Sequence, residues 1–324
     1  RFHKNYNNRN MKNIYKNSSQ NLNKAKKILQ ENNVIAVPTE TVYGLAGNAY
    51  SSRAVKKIYK MKKRPKKNPL IIHYYSLKQL KKDAHINKKF LKLYKKFSPG
   101  PLTYILEKKK ESKISPFVNA KLKSIAIRFP KNVLIRNLLK KLNFPLAIPS
   151  ANISNNVSPV KAADVVDEFG KKIKFILDGG TAKIGLESTV INLFDKAQIL
   201  RPGLISKKQI SRVLKKKISI LKNTEKVISP GLLKRHYSPG IPIKLNCKIR
   251  EDKAAFIVFG KKYKDNNENV FNLSKSGNLN EAARKLYKTL REIKNLGFKK
   301  INIVKIPNKK IGIAINDRLR KAAY

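Results

Sequence analysis

Along the chain, short apolar runs that stop at prolines or hydroxyls alternate with stretches of helical spacing. Apolar residues recur at 22, 25, 28 and 29, which predicts an amphipathic helix over 22–30. Val34, Ile35, Ala36 and Val37 follow without a polar break, as suits a strand covered on both faces. Pro38 cannot donate to a central ladder, so regular pairing ends there and leaves Thr39, Glu40 and Thr41 at the strand's mouth. Gly44 and Gly47 then allow positive φ or a close approach of the backbone to a ligand. Two readings fit this stretch: an ordinary exit into a turn, or a strand that delivers polar groups to a cleft.

Further along, Ser51 or Ser52 caps a helix that packs Ala54, Val55, Ile58 and Tyr59 inward and stops before Pro65. Lys62, Lys63, Arg64, Lys66, Lys67 and Asn68 lead into an apolar strand over 70–73 that ends in His73. This is either a phosphate site or a solvated basic turn beside a hydrogen-bonded core histidine. Helices over 77–82 and 90–97 precede a rigid turn at 98–103 that enters a strand. Residues 124–130 alternate with period two, which puts Ser124, Ala126 and Arg128 on one face; Ser124 and Arg128 lie about 13 Å apart at ~3.3 Å per residue. They hold opposite ends of an extended ligand, or they line a solvent-facing edge.

A short strand over 145–149 ends in Ser150, and Ser158-Pro159 carries the signature of a helix start, with Gly170 closing that helix and its first N–H groups open to an anion. Strands over 175–180, 185–191 and 199–203 also end in small polar residues, so several strand ends converge on one shared cleft. Beyond 240, a strand over 254–259, a helix over 279–296 closed by Gly297, a strand over 301–306 and a helix over 312–322 imply a small parallel α/β domain. It has no GxGxxG turn and is assigned no nucleotide cofactor.

Composition bounds this picture. With 324 residues, 41% of them hydrophobic, the chain can fill one large core or two medium ones. No apolar run approaches the ~20 residues of a membrane span, and the start lacks a secretory apolar stretch, which predicts a cytoplasmic protein without membrane contact. The single Cys247 has no internal disulfide partner, and the histidines at 3, 73, 85 and 236 have no zinc-ligand spacing, so no structural metal is expected. A formal charge of +55 favours polyanionic partners such as ATP or RNA. The lysines, however, run through nearly every segment in company with Asn and Ile, as a compositional bias would place them. The polar, Asn-rich start reads as a disordered leader over 1–11.

Seven ordered segments resemble the threonylcarbamoyl-AMP synthase family, the YrdC-like enzymes of tRNA modification: PTETVYGLAGNA at 38–49, KKRPKKNPLIIH at 62–73, SPGPLT at 98–103, SIAIRFP at 124–130, PSANISNNVSP at 149–159, GLESTVI at 185–191 and LRPG at 200–203. Residues 229–239, SPGLLKRHYSP, resemble the linker of the longer members. Ser98 and Leu232 depart from residues frequent in the family, at positions not expected to touch chemistry. The resemblance implies a twisted mixed sheet around a concave basic cavity over 12–222, a linker acting as a lid over 223–240, and a small parallel, Rossmann-like α/β domain over 241–324. It implies adenylate transfer: L-threonine, bicarbonate and ATP give threonylcarbamoyl-AMP and pyrophosphate, for a transferase machinery that modifies adenosine 37 of tRNA. By position, Thr39, His73, Arg128, Ile148 and Ser188 would line the threonine site, with Arg128 facing the carboxylate. Lys62, Arg64, Asn68, Ser124, Ser150, Ser158, Arg201 and Tyr237 would hold ATP, and magnesium would enter with the phosphates. No residue is assigned as acid or base; charge neutralisation and positioning carry the chemistry. The alternative is a non-catalytic protein that binds double-stranded RNA, or assists ribosome maturation, through the same basic concavity. Carbamoyl transfer to another acceptor, as in hydrogenase maturation, fits less well, since no zinc-finger or acylphosphatase-like segment precedes the domain.

Overall fold

Helices begin where the sequence supplies a capping side chain. In the computed structural model, which describes residues 11–221, 236–263 and 267–323, Ser18 and Ser51 accept backbone N–H bonds at the starts of α1 (Ser19–Gln30) and α2 (Ser52–Lys62). Ser76, Asn87 and Asn132 do the same for α3 (Leu77–Leu80), α4 (Lys88–Phe97) and α5 (Val133–Lys140). The helix expected at Ser158 starts later. α6 spans Ala162–Phe169, and Asp164 Oδ2 accepts from Val160 N and Lys161 N at its start. Ser158 therefore caps nothing and presents no helix terminus to an anion; its hydroxyl donates to Glu187 at 2.6 Å. Gly170 does close the helix, at φ +50. α7 (Lys207–Leu214), α8 (Leu279–Asn295) and α9 (Gly312–Ala322) follow.

Among the described residues the first sheet has eleven strands: β1 (Ile14–Tyr15), β2 (Ile35–Val37), β3 (Gly44–Asn48), β4 (Ile71–His73), β5 (Leu102–Glu107), β6 (Ser124–Arg128), β7 (Leu146–Ala147), β8 (Ile176–Leu177), β9 (Thr189–Asn192), β10 (Gln198–Arg201) and β11 (Ser219–Ile220). Their order is β1-β8-β2-β3-β7-β4-β6-β5-β9-β10-β11, with parallel and antiparallel neighbours mixed as expected. β3 was not expected. The glycine-bearing stretch returns antiparallel to β2, with Val37 opposite Gly44, so the polar residues 38–43 form the loop between two strands. Neither Gly44 nor Gly47 has positive φ. A Cβ on Gly44 would collide with the Ile148 side chain and lie 2.9 Å from Pro149 O, so this glycine admits a neighbouring backbone.

Register sets the site. β4 runs parallel to β6 with His73 opposite Arg128, and β5 antiparallel to β6 with Thr103 opposite Arg128. β5 also runs parallel to β9, with Leu102 opposite Thr189. The polar ends of four strands thus lie side by side.

The second sheet, β12 (Ile243–Lys244), β13 (Ala255–Val258), β14 (Val270–Asn272) and β15 (Ile301–Ile303), is parallel throughout in the order β12-β15-β13-β14. Its core, with Ile257, Leu286, Leu290 and Ile315, is continuous with Val42, Val160, Ala182 and Leu186 of the first unit. The two units are packed as one hydrophobic body. Residues 1–10 of the expected leader and 223–235 of the expected lid lie outside the described residues.

Candidate active site

The loop after β2 is pinned by one hydroxyl. Thr39 Oγ1 donates to Val42 O at 2.6 Å and accepts from Thr41 N and Val42 N at 3.1 and 3.2 Å. This turn aims Glu40 and Thr41 at the end of β6, where Arg128 spends Nη2 on Glu40 Oε1 (2.6 Å), Nη1 on Thr41 Oγ1 (2.9 Å) and Nε on Gly100 O (3.3 Å). Glu40 Oε2 accepts from Lys131 N and Asn132 N. Burial raises the Glu40 carboxyl, but the Arg128 charge and these N–H groups outweigh it and hold it below its ordinary range.

His73 lies beside Arg128. Burial, and then the Arg128 charge, pushes its imidazole well below the ordinary histidine value, so the ring is neutral. Nδ1 is 3.3 Å from Ile71 O, and a carbonyl only accepts, so this nitrogen carries the proton. Nε2 then presents a lone pair. It is buried with no hydrogen-bond partner among the described residues.

The opposite wall is cationic. Arg64 Nε and Nη2 bind Asn68 O, Asn68 Oδ1 and Pro69 O at 2.6–2.9 Å, which leaves Nη1. Burial first, with a smaller push from Arg201, pulls the Arg64 guanidinium down to about 10, still charged at neutral pH. Arg201 Nε and Nη2 hold Ser188 O and Ser188 Oγ, and that hydroxyl also meets Thr103 Oγ1 at 2.7 Å. Lys62 Nζ lies 2.5 Å from both Ser150 O and Asn152 O, so it braces the segment that carries Ser150. Burial depresses its ammonium well below the ordinary lysine value.

Arg64, His73, Arg128, Ser188 and Arg201 line one cavity that is open at its mouth. All five residues expected around threonine, Thr39, His73, Arg128, Ile148 and Ser188, line it. Of the eight expected around ATP, Arg64, Ser150, Arg201 and Tyr237 line it. Lys62, Asn68, Ser124 and Ser158 do not. Lys62 and Asn68 act from behind through Ser150 and Arg64, Ser158 is bonded to Glu187, and Ser124 is at the far end of β6 opposite Glu107. The walls also include Thr41, Tyr43, Glu187 and His236, none of which was assigned to threonine or ATP. Each lies within four residues of one that was, and the GLES run already offered Glu187 next to Ser188.

Glu187 is the acid in the cavity wall. Burial raises it, but Arg318, Arg201 and the Ser158 hydroxyl overcome that and hold it at about 2. Among the described residues no group of three His, Cys, Asp or Glu could hold a metal ion. Glu187 in the cavity wall is spent on Arg318, and Glu40 behind the wall on Arg128, so the described residues do not fit a protein-held magnesium.

Residues 27–203 match the family described as "Telomere recombination", and residues 205–324 match "Threonylcarbamoyl-AMP synthase, C-terminal domain". A Bacillus subtilis protein named threonylcarbamoyl-AMP synthase is 38% identical over 319 residues, 91% of each chain. The crystal structure of Pyrococcus abyssi Sua5 complexed with L-threonine superposes with a TM-score of 0.87 at 34% identity, over 96% of both chains. A Methanocaldococcus jannaschii protein named putative threonylcarbamoyl-AMP synthase is 35% identical, and there 58% of this chain covers 87% of the relative, which is therefore shorter. With both units accounted for along their length, this chain belongs to the threonylcarbamoyl-AMP synthase family, in its two-domain form.

Proposed function

We propose that the protein condenses L-threonine, bicarbonate and ATP to threonylcarbamoyl-AMP and pyrophosphate. One observation carries this reading: Arg64, Arg128 and Arg201 converge with neutral His73 on a single buried cavity. The threonine amine attacks bicarbonate to form a carbamate and releases water; a carbamate oxygen then attacks the α-phosphorus and pyrophosphate departs with the bonding pair. Nucleophile and triphosphate are both anionic, so fixed guanidiniums that neutralise charge and align the two are the chief contribution the chain can make. Arg128, already oriented by Glu40 and Thr41, takes the threonine carboxylate with its remaining N–H bonds. His73 Nε2 offers an acceptor to the threonine ammonium or hydroxyl, and Arg64 and Arg201 take the phosphates. Magnesium would enter with the triphosphate and offset part of its charge. The product is an activated acyl-type adenylate, to be consumed by a transferase acting on tRNA adenosine. A chemistry that needs ATP is in keeping with a cytoplasmic enzyme, and no helix among the described residues is long and apolar enough to cross a membrane.

Calorimetric titration with threonine and ATP, together with pyrophosphate release, tests the reading. Saturable threonine binding and release that depends on threonine and bicarbonate are expected. RNA binding without either would overturn it in favour of a nucleic-acid-binding protein.

A further inference from the structure

Glu187 lines the cavity of the first unit, yet two of its three side-chain partners come from the second. Ser158 Oγ donates to Oε1 at 2.6 Å; Tyr287 OH on α8 lies 2.9 Å from Oε2, and Arg318 Nε on α9 also 2.9 Å from Oε2. Arg318 is 1% exposed, spends Nη1 on Asp317, and stacks its guanidinium 5.0 Å from the ring centre of Tyr237, another cavity wall. Tyr287 stacks on the same ring at 6.0 Å. Tyr237 itself has φ +64, a conformation side chains rarely adopt, and its neighbours are tied to opposite units: His236 N to Lys321 O at 3.0 Å, Ser238 N to Asn155 O at 2.7 Å. Tyr287 and Arg318 thus hold one acid and one ring of a cavity they do not themselves line.

An acid is an unfavourable wall for a triphosphate. Paired with Arg318 it is neutralised; unpaired, it sets a fixed negative charge against ATP in a site of low dielectric. Threonine, a zwitterion of zero net charge, feels this much less. We propose that Tyr287 and Arg318 are positioning residues for adenylate transfer, through which the C-terminal unit neutralises Glu187 and fixes Tyr237, and so sets affinity for the nucleotide. This deepens the function proposed above and rests on it. The shorter relative shows that such a unit is not present along every family member, in keeping with a tuning role rather than a part in bond making.

The test is steady-state pyrophosphate release by the full chain, with KM read separately for ATP and threonine. Arg318→Met is expected to raise KM for ATP roughly tenfold or more while KM for threonine changes less than about threefold. Adding Glu187→Gln to Arg318→Met removes the unpaired charge and is expected to recover most of the ATP loss. Tyr287→Phe, the mildest change, is expected to raise KM for ATP about threefold, and it carries the test together with the double variant should Arg318→Met fail to fold. Equal losses for both substrates, or a double variant no better than Arg318→Met, would overturn the proposal and reduce the pair to a structural clamp. Absence of threonine-dependent release by the unaltered chain would instead reject the function itself.

Discussion

At Arg128, ligand binding and stability rest on one guanidinium. Arg128→Ala would be the simplest way to remove the threonine carboxylate's partner, but Glu40 would be left as an unpaired carboxylate, buried at 6% exposure. Breaking a buried pair in this way costs about 3–5 kcal/mol, so that variant is expected to lose stability as well as turnover. The cleaner variant is Glu40→Gln with Arg128→Gln, which removes both charges. It should melt closer to the unaltered protein than Arg128→Ala does, yet lose at least about tenfold in kcat/KM for threonine. Unimpaired turnover in the double variant would remove Arg128 from the threonine site. Glu187 adds a pH signature. Its carboxyl is depressed in the folded chain from 4.5 to about 2, so the stability it contributes is full above pH 4.5 and disappears as pH falls through about 2. Between pH 7 and pH 3 the unaltered chain should therefore lose about 2 kcal/mol more than Glu187→Gln, measured by urea unfolding at both pH values. Parallel losses would mean that the carboxylate is not held by Arg318 and Arg201 in solution.

At the scale of elements, the segment 185–188 joins the two units. Ile184 N and Gly185 N pair with Glu40 O and Thr41 O of the first loop, while Gly185, at φ +78, would bring a Cβ within 2.7 Å of Arg284 Cα on α8. Gly185→Ala should thus displace the helix from the segment and cost about 1–3 kcal/mol; a melting temperature equal to that of the unaltered chain would show that α8 does not dock there. Elements were legible where local signals agree with tertiary ones. α1, α2, α4, α8 and α9 show helical spacing, β4 is an apolar run buried on both faces, and β6 alternates with period two. β3 was not legible: Gly-Leu-Ala-Gly-Asn has no β-branched residue, and only pairing with β2 and β7 makes it a strand. The Ser158-Pro159 signature misled because Glu187, 29 residues away, claims the hydroxyl that would have capped a helix. In the site, local pattern placed Thr39, His73 and Arg128 at strand mouths or ends but left their roles open, and the family resemblance supplied those roles. The bonds from Tyr287 and Arg318 to Glu187 could not be read in this way, since they span 100 and 131 residues and no local pattern encodes them.

For the whole molecule, charge and cohesion are separate matters. Among the described residues the buried cations are Lys62, Arg64, Arg128, Arg201 and Arg318. The interior thus selects arginine, whose planar fork suits carboxylate and phosphate, while nearly all of the lysine surplus stays on the surface, as a compositional bias would leave it. Cohesion comes from the shared core and two ion pairs between units, the buried Arg318 to Glu187 and the part-buried Arg291 to Glu168, both at 2.9 Å. A chain ended after Leu221 would uncover Val42, Val160, Ala182 and Leu186 and strand both carboxylates. Its loss of activity could then not be credited to a missing lid, and a variant at Tyr237 in the full chain is the better probe of that idea. Stranding one buried acid alone costs about 3–5 kcal/mol, and each kcal/mol lowers melting by about 2–4 °C in a domain of this size. The chain ended after Leu221 should therefore melt about 10 °C or more below the full chain. The full chain should unfold in one transition, coincident by far-ultraviolet circular dichroism and tyrosine fluorescence. Two separated transitions, the first unit's unchanged by truncation, would show that the units are stable independently and that the shared core does not couple them.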